Sequence, residues 1–158
     1  MNNRKDILDL LIPYFEADER YHLLFCDCGF AAIDKLQELF PNRVRNMGIQ
    51  EQNTVSVASG MAMEGLKPII FSITQFLVMR SFEQVRNTSL QHLNVKFIGT
   101  GSANYFSFLG ESHCCNDDDI QLMELAGMKI YNSFSPDVNF ELMVANWIKS
   151  KKASYIRI

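Results

Sequence analysis

The sequence is best interpreted outward from one run, Asn46-Met47-Gly48-Ile49-Gln50-Glu51-Gln52-Asn53. The residues from Glu51 to Glu64 are small or apolar almost throughout, and the two glutamates are the only charges among them. Such a composition predicts a helix that is buried on nearly every face. Glu51, Val55 and Ala58 recur at helical spacing, so we expect the Glu51 carboxyl to lie on an otherwise apolar face.

A carboxyl group at the start of a buried helix allows two interpretations. An acidic residue in the first turn offsets the positive end of the helix dipole, which is a purely structural role. Burial on an apolar face also favours the protonated form of a carboxyl, and perturbed acids of this kind occur at functional sites. Position alone favours the structural interpretation, so the choice depends on the rest of the chain.

Length and composition indicate one soluble domain with a real core. The chain has 158 residues, of which 47% are hydrophobic and 21% are charged, an ordinary globular composition. The net charge of −3 gives no electrostatic reason to expect nucleic-acid or membrane binding. No apolar run is long enough to span a bilayer, and the polar N-terminus does not look like a secretory signal.

Four cysteines, at positions 26, 28, 114 and 115, lack a standard zinc spacing. A metal or disulfide role stays open, but reduced thiols in the cytoplasm are the simpler expectation.

Helical and strand-like patterns alternate along the chain. Helices are predicted over 4–17, 31–40, 51–64, 76–90, 119–125 and 136–149, and strands over 21–26, 43–46, 68–71, 95–99, 129–131 and 154–158. The alternation predicts a single α/β domain over residues 1–158. We expect a doubly wound, mostly parallel sheet of about six strands with helices on both faces. Ligands bind such sheets at the carboxyl ends of the strands, where the turn 46–51 and the polar loop 101–118 are expected.

Several motifs follow one another in a fixed order. They are Asp27-x-Gly29, Phe40-Pro41-x-Arg43-x-x-Asn46-x-Gly48-Ile49-x-Glu51-Gln52-Asn53, Ala58-x-Gly60-x-Ala62-x-x-Gly65-x-x-Pro68, Arg80-x-x-x-Gln84-Val85-Arg86-Asn87, Gly110-x-Ser112-His113 and Tyr155-Ile156-Arg157. Taken in order they resemble the pyrimidine-binding domain of transketolase-type, thiamine diphosphate enzymes. The resemblance covers essentially the whole chain, and its most specific part is the run around Glu51.

The resemblance implies a cofactor-binding role for several of these residues. A glutamate at the place of Glu51 hydrogen-bonds a ring nitrogen of the aminopyrimidine of thiamine diphosphate, the electron sink of the reaction. Gly48 and Ile49 belong to the same motif and would lie beside the cofactor. An aromatic ring would stack on the aminopyrimidine. Phe76 is our first choice and Phe71 the second, with a place in the core as the structural alternative.

Two further residues are candidates for contact with substrate. The resemblance implies that His113, in the long loop, reaches the substrate or the reactive end of the cofactor, where histidine can transfer protons or bind hydroxyl groups. Arg80 could hold an acidic group of a partner chain or a substrate phosphate, with a local surface pair as the alternative. The loop departs from the family's acidic pattern at residues 107–110, which leaves the substrate open.

The resemblance also implies that this chain forms only half of a site. In the family, Mg²⁺ holds the cofactor's diphosphate through a Gly-Asp-Gly run and a later asparagine in a separate domain. No Gly-Asp-Gly occurs here, and the family's C-terminal domain is also missing. We therefore expect no metal site on this chain and a partner subunit that binds the diphosphate and its magnesium. The assembly would be a split transketolase-like enzyme, oligomeric and cytoplasmic, that moves two-carbon ketol units between sugar phosphates.

Other functions stay open on the sequence. The chain could serve a deoxyxylulose-phosphate synthase or act as the beta subunit of a 2-oxo acid dehydrogenase. It could also be a non-catalytic or truncated domain, which the altered loop and the missing domains favour, whereas retention of Glu51 favours an enzyme. A flavodoxin-like nucleotide binder lacks support, because Gly99-Thr100-Gly101-Ser102 is too short for a phosphate loop.

Overall fold

The computed structural model describes residues 3–158. Within them, α-helices cover Asn3–Ala17 (α1), Asp34–Leu39 (α2), Glu51–Met63 (α3), Phe82–Leu90 (α4), Asp118–Leu125 (α5) and Phe140–Lys149 (α6). Strands cover Tyr21–Phe25 (β1), Val44–Asn46 (β2), Lys67–Ile73 (β3), Lys96–Thr100 (β4), Lys129–Asn132 (β5) and Ser154–Arg157 (β6). A π-helical turn, Phe76–Arg80, precedes α4, and the long loop contains two 3-10 turns, Ser107–Leu109 and Glu111–His113.

The strands form one sheet in the order β2-β1-β3-β4-β6-β5, and every neighbouring pair is parallel. In the register of the centre, Leu23 of β1 faces Ile69 of β3, and Phe71 of β3 faces Ile98 of β4. Parallel neighbours need long crossover connections, which the helices provide. The predicted doubly wound α/β fold is confirmed.

The core has two halves, one on each face of the sheet. Side chains of α1, α2 and α6 pack on one face, where Trp147 and Phe15 are fully buried. Side chains of α3, α4, α5 and the π-helical turn pack on the other. Successive residues of β3 alternate between the halves, Ile69 and Phe71 toward the first and Ile70 toward the second, as the period of a strand requires.

Helix α3 is not buried on every face, which corrects the expectation from its composition. Glu51, Val55 and Ala58 face the sheet and are buried, whereas Val57 is 38% exposed and Met63 is 59% exposed. Only one side of the helix meets the sheet in the single chain. The other side faces solvent and is mixed in character, with Gln52, Asn53 and Ser56 exposed beside Val57 and Met63.

Three helical segments differ from their predicted limits for reasons of backbone conformation. Helix α2 begins at Asp34 because Ala31 has a φ of +65°, which a right-handed helix does not accommodate. Helix α6 begins at Phe140, beyond Asp137 with its φ of +57°. The segment predicted as one helix over 76–90 is divided at Ser81 into the π-helical turn and α4.

Lys96 is a buried lysine at the first position of β4. Its Nζ lies 2.7–2.9 Å from four oxygen atoms, which belong to Asn94, Ser150 and Lys152. Burial, with a smaller contribution from the charge of Lys67, lowers the pKa of Lys96 to about 7. The contacts join the start of β4 to the connection between α6 and β6, at the edge of the sheet opposite the carboxyl ends of the strands.

Replacing Lys96 with methionine should remove a pH dependence of stability. Above about pH 7 the folded chain has released the Lys96 proton, while the unfolded chain keeps it up to about pH 10.5. The stability of the unmodified chain should therefore rise across this window, by up to about 1.4 kcal/mol per pH unit from this residue. Urea unfolding at pH 7 and pH 9 measures the rise. Lys151→Met, at an exposed neighbour, should keep it, and equal slopes in all three proteins would contradict the assignment.

Candidate active site

The carboxyl ends of β2, β3 and β4 lead to most of the predicted site residues. Strand β2 ends at Asn46 and leads through a short turn to Glu51 at the start of α3. Strand β3 ends at Ile73 and leads to Phe76 in the π-helical turn. Strand β4 leads into the long loop with His113. Because the strands are parallel, all three connections emerge at the same edge of the sheet.

The turn before α3 is fixed by one asparagine. The Oδ1 atom of Asn46 accepts hydrogen bonds from the backbone N–H groups of Gly48, at 2.9 Å, and Asp27, at 3.1 Å. Gly48 has a φ of +78°, in the left-handed region that favours glycine. The next residue, Ile49, is 72% exposed. The turn thus fixes the direction in which the chain enters α3. It also exposes the apolar side chain of Ile49 beside the start of the helix.

Glu51 is only 1% exposed, and both of its carboxylate oxygens have partners. Ser72 Oγ donates to Oε1 at 3.3 Å, and Arg80 Nη1 donates to Oε2 at 2.7 Å. The Arg80 side chain is 41% exposed. A buried charge is tolerated only with such partners, so Ser72 and Arg80 are what allow a carboxylate at this position.

Arg80 also contacts Phe76, and Phe76 in turn contacts His113. Its guanidinium carbon lies 4.3 Å from the centre of the Phe76 ring. The Phe76 ring meets the imidazole of His113 edge to face, with ring centres 5.0 Å apart and planes at 69°. On its other side His113 lies near Ser112, whose Oγ is 3.1 Å from Nδ1. The structure therefore brings together Glu51, Arg80, Phe76 and His113, which we call the Glu51 cluster.

Phe71 does not belong to the Glu51 cluster, and this corrects its place as the second stacking candidate. Its ring is fully buried in the half of the core built by α1 and α6. A Cβ atom added to Gly29 would lie 2.6 Å from the ring, so the ring is enclosed there too. Strand alternation explains the placement, because Phe71 and Ser72 point to opposite faces and Ser72 takes the face of Glu51.

Arg80 pairs with Glu51 of its own chain. This is a local pair, which the sequence left open beside a partner's acidic group or a substrate phosphate. Ser72 was not among the predicted site residues. Its signal was present, since it is the one hydroxyl in the apolar strand that follows α3. A buried polar residue in such a strand calls for a hydrogen-bond partner.

A buried polar network lies at the same edge of the sheet. Tyr155 donates a hydrogen bond of 2.7 Å to Asp119, and Arg157 forms an ion pair of 3.0 Å with the same carboxylate. Burial raises the pKa of Asp119, while the contacts with Tyr155 and Arg157 oppose the rise. Asp119 thus joins α5 to β6 at the carboxyl edge of the sheet.

The remaining groups with possible chemistry are the thiols and other potential metal ligands. The four cysteines form no disulfide, and burial raises the pKa of Cys28 and Cys115 to about 12. Residues 3–158 contain no group of three or more His, Cys, Asp or Glu placed to hold a metal ion. None of the helices described in this range combines the length and apolar character that crossing a membrane requires.

Comparison with known proteins now identifies the class. The transketolase pyrimidine binding domain matches residues 19–158, and the chain belongs to this family, as its motifs predicted. A solved chain titled "Split gene transketolase, inactive beta4 tetramer" superposes with a TM-score of 0.83 and 26% identity, over 98% of this chain and 50% of that one. A transketolase from Campylobacter jejuni shares the fold, with a TM-score of 0.75 and 16% identity over 99% of this chain and 24% of that one.

Two curated relatives have names that specify a reaction. The 6-deoxy-6-sulfo-D-fructose transketolase subunit SqwH of a Clostridium strain is 29% identical over 130 residues, which is 81% of this chain and 40% of that protein. A 1-deoxy-D-xylulose-5-phosphate synthase of Bacillus cereus is 39% identical over 82 residues, which is 51% of this chain and 13% of that protein. The chain thus spans half or less of the length of these relatives.

Replacing Asp119 with alanine should destabilise the fold strongly. The change leaves Arg157 buried with only Asp117 as its acidic partner, at 2.7 Å, and it removes the acceptor of the Tyr155 hydroxyl. We expect a loss of about 2–4 kcal/mol in the free energy of unfolding, measured by urea denaturation. The exposed neighbour is the control, since Asp118→Ala should cost only about 0.5 kcal/mol through the helix dipole. Similar losses in the two variants would contradict the role of the network.

Proposed function

We propose that this chain is the pyrimidine-binding half of a split thiamine diphosphate-dependent enzyme of transketolase type, active only with a partner subunit. The observation that carries the proposal is the carboxylate of Glu51, 1% exposed at the carboxyl edge of a parallel sheet. Arg80 links this carboxylate to the ring of Phe76, and Phe76 contacts His113 of the long loop. Membership of the pyrimidine-binding family supports the proposal, as do the split form of the solved relative and the subunit status of the Clostridium relative.

The Glu51 cluster has the right chemistry for an aminopyrimidine. The guanidinium of Arg80 is flat, donates an N–H to Glu51 and lies over the Phe76 ring. Glu51 and Phe76 therefore already accept a flat hydrogen-bond donor. An aminopyrimidine is also flat, so it can stack on Phe76, and once its ring nitrogen is protonated it can donate to Glu51. When bound, thiamine diphosphate would supply the electron sink for breaking and forming a carbon–carbon bond.

The residues of the cluster take distinct roles in this proposal. Glu51 would hold and share a proton with the ring nitrogen, in a place from which water is largely excluded. Phe76 would fix the plane of the ring. His113 would bind a substrate hydroxyl or move its proton. Arg80 would meet an anionic group of the substrate only after leaving Glu51.

The turn before α3 has a supporting role. Gly48 gives the chain its direction into α3 through its positive φ. Ile49 would pack against the cofactor or the partner subunit, because it is exposed and apolar.

A partner subunit would complete the site. It would bind the diphosphate and its Mg²⁺. Residues 3–158 of this chain contain no group of three or more His, Cys, Asp or Glu placed to hold a metal ion. The exposed side of α3, which includes Val57 and Met63, is available for contact with the partner, and a stable subunit interface is large and partly apolar. By analogy with the inactive tetramer of the solved relative, the chain alone would self-associate without turnover. Its free thiols agree with a reducing cytoplasm.

The reaction we assign is transfer of a two-carbon ketol unit between sugar phosphates. The second candidate is a reaction of deoxyxylulose-phosphate synthase type, favoured by the 39% identity to the Bacillus cereus enzyme over 82 residues. The donor distinguishes the two candidates. An assembled enzyme that consumes a ketose fits the first, and one that consumes a 2-oxo acid fits the second.

Replacing Glu51 with glutamine should abolish turnover of the assembled complex while the fold persists. Glutamine keeps the size of the side chain but cannot take up and return a proton, so we expect a loss of at least about 100-fold in kcat. Steady-state kinetics measures it, with circular dichroism as the check on folding. Glu64→Gln, at the exposed opposite end of α3, should leave kcat unchanged. Full activity of Glu51→Gln would sink the proposal.

The isolated chain should bind thiamine diphosphate weakly, even with Mg²⁺ present. Most of the cofactor's charge lies in the diphosphate, whose magnesium ligands belong to the partner in this proposal. Titration calorimetry should detect tight binding only after the partner is added. Tight binding to this chain alone would show that the site is not divided between two subunits.

A further inference from the structure

Arg80 makes both of the contacts that we assign to the cofactor's aminopyrimidine. Its Nη1 atom donates to Glu51 Oε2 at 2.7 Å, and its guanidinium carbon lies 4.3 Å from the centre of the Phe76 ring. One flat cationic group thus takes the hydrogen-bond acceptor and the stacking surface together. A simple ion pair needs only the first of these contacts.

The position of Arg80 would allow its side chain to move away from Glu51 and Phe76. Its side chain is 41% exposed, whereas Glu51 is 1% exposed, so the carboxylate is buried and the arginine side chain reaches solvent. Arg80 is the last residue of the π-helical turn, and Ser81 separates that turn from α4. Single π-helical turns are frequent at functional sites. Rotation of a half-exposed side chain would uncover Glu51 and Phe76 without moving a strand or an α-helix.

We propose that Arg80 is an internal ligand of the pyrimidine subsite, which holds Glu51 and Phe76 until the cofactor displaces it. This inference rests on the proposed function of the cluster. Glu51 would always have a partner, because one planar donor is exchanged for another, and a buried carboxylate without a partner is costly. The exchange also makes the cofactor compete with the protein's own side chain. Its apparent affinity is reduced by the fraction of molecules in which Arg80 is bound.

Binding of an aminopyrimidine fragment tests the proposal directly. The probe is 4-amino-2-methylpyrimidine, titrated into the full 158-residue chain and followed by NMR. Arg80→Ala should bind the probe roughly five- to tenfold more tightly than the unmodified chain, because the competing ligand is gone. Arg86→Ala is the matched control, since Arg86 is exposed on α4 and forms no ion pair among residues 3–158. It should bind like the unmodified chain. Equal affinity in Arg80→Ala and the unmodified chain would overturn the proposal.

A second measurement does not depend on the cofactor. If Arg80 is an internal ligand, methylguanidinium at millimolar concentration should fill its place in Arg80→Ala and raise the melting temperature. It should not do so in the unmodified chain or in the double variant Glu51→Gln/Arg80→Ala. No rise in Arg80→Ala would overturn the internal ligand. A rise in Arg80→Ala, with no probe binding to any variant, would instead overturn the proposed function of the cluster.

Arg80→Lys covers the case in which the alanine variant does not fold. Lysine keeps a positive charge for Glu51 but lacks the flat face that covers Phe76. We expect its affinity for the probe to exceed that of the unmodified chain, by about twofold, with a melting temperature near the unmodified value. Weaker binding than in the unmodified chain would show that Arg80 helps to bind the fragment, and the proposal would be wrong.

Discussion

A carboxylate removed from water must find other partners, and the arrangement around Glu51 follows from this constraint. Ser72 at the end of β3 and Arg80 in the π-helical turn supply the two hydrogen bonds. Two connections of the chain, from β2 to α3 and from β3 to α4, therefore meet at one charged group. The fold makes the meeting feasible, because parallel strands deliver their connections to a single edge. The two contacts of Arg80 then bring Phe76, and through Phe76 also His113, to the same place.

Helix α3 has a buried side and an exposed side, which its composition alone does not distinguish. Its inward side carries Glu51, Val55 and Ala58 against the sheet, and its outward side exposes Val57 and Met63. These two apolar residues lie among exposed polar ones, so the outward side is a mixed surface. In our proposal the helix that positions the buried acid would also contact the partner subunit through this side. The proposed division of the site between two chains would then depend on a single helix.

Much of the fold was predictable from the sequence, whereas the pairing of charged residues at the site was not. Alternating patterns gave the parallel sheet, and the motif around Glu51 gave the start of α3. Phe71 could have been excluded as a stacking residue from the strand pattern. Ile69 and Phe71 share one face of β3, and Ser72 lies on the other. The pairs Glu51–Arg80 and Asp119–Arg157 could not be predicted from the sequence. Each joins residues far apart in the chain, and hydrophobic periodicity reports which face a residue lies on, not which residue it meets.

The Glu51–Arg80 pair has an electrostatic consequence for how the site would assemble. With the pair formed, the charges of Glu51 and Arg80 offset each other. If a pyrimidine nitrogen took the carboxylate, the guanidinium would be released with its positive charge no longer offset. The anionic groups of the proposed cofactor and substrate, a diphosphate and a sugar phosphate, are groups that an arginine binds well. One displacement would then bind the ring, keep the buried acid paired and leave a free positive charge beside it. Occupation of the pyrimidine subsite would in this way favour the binding of anionic groups next to it.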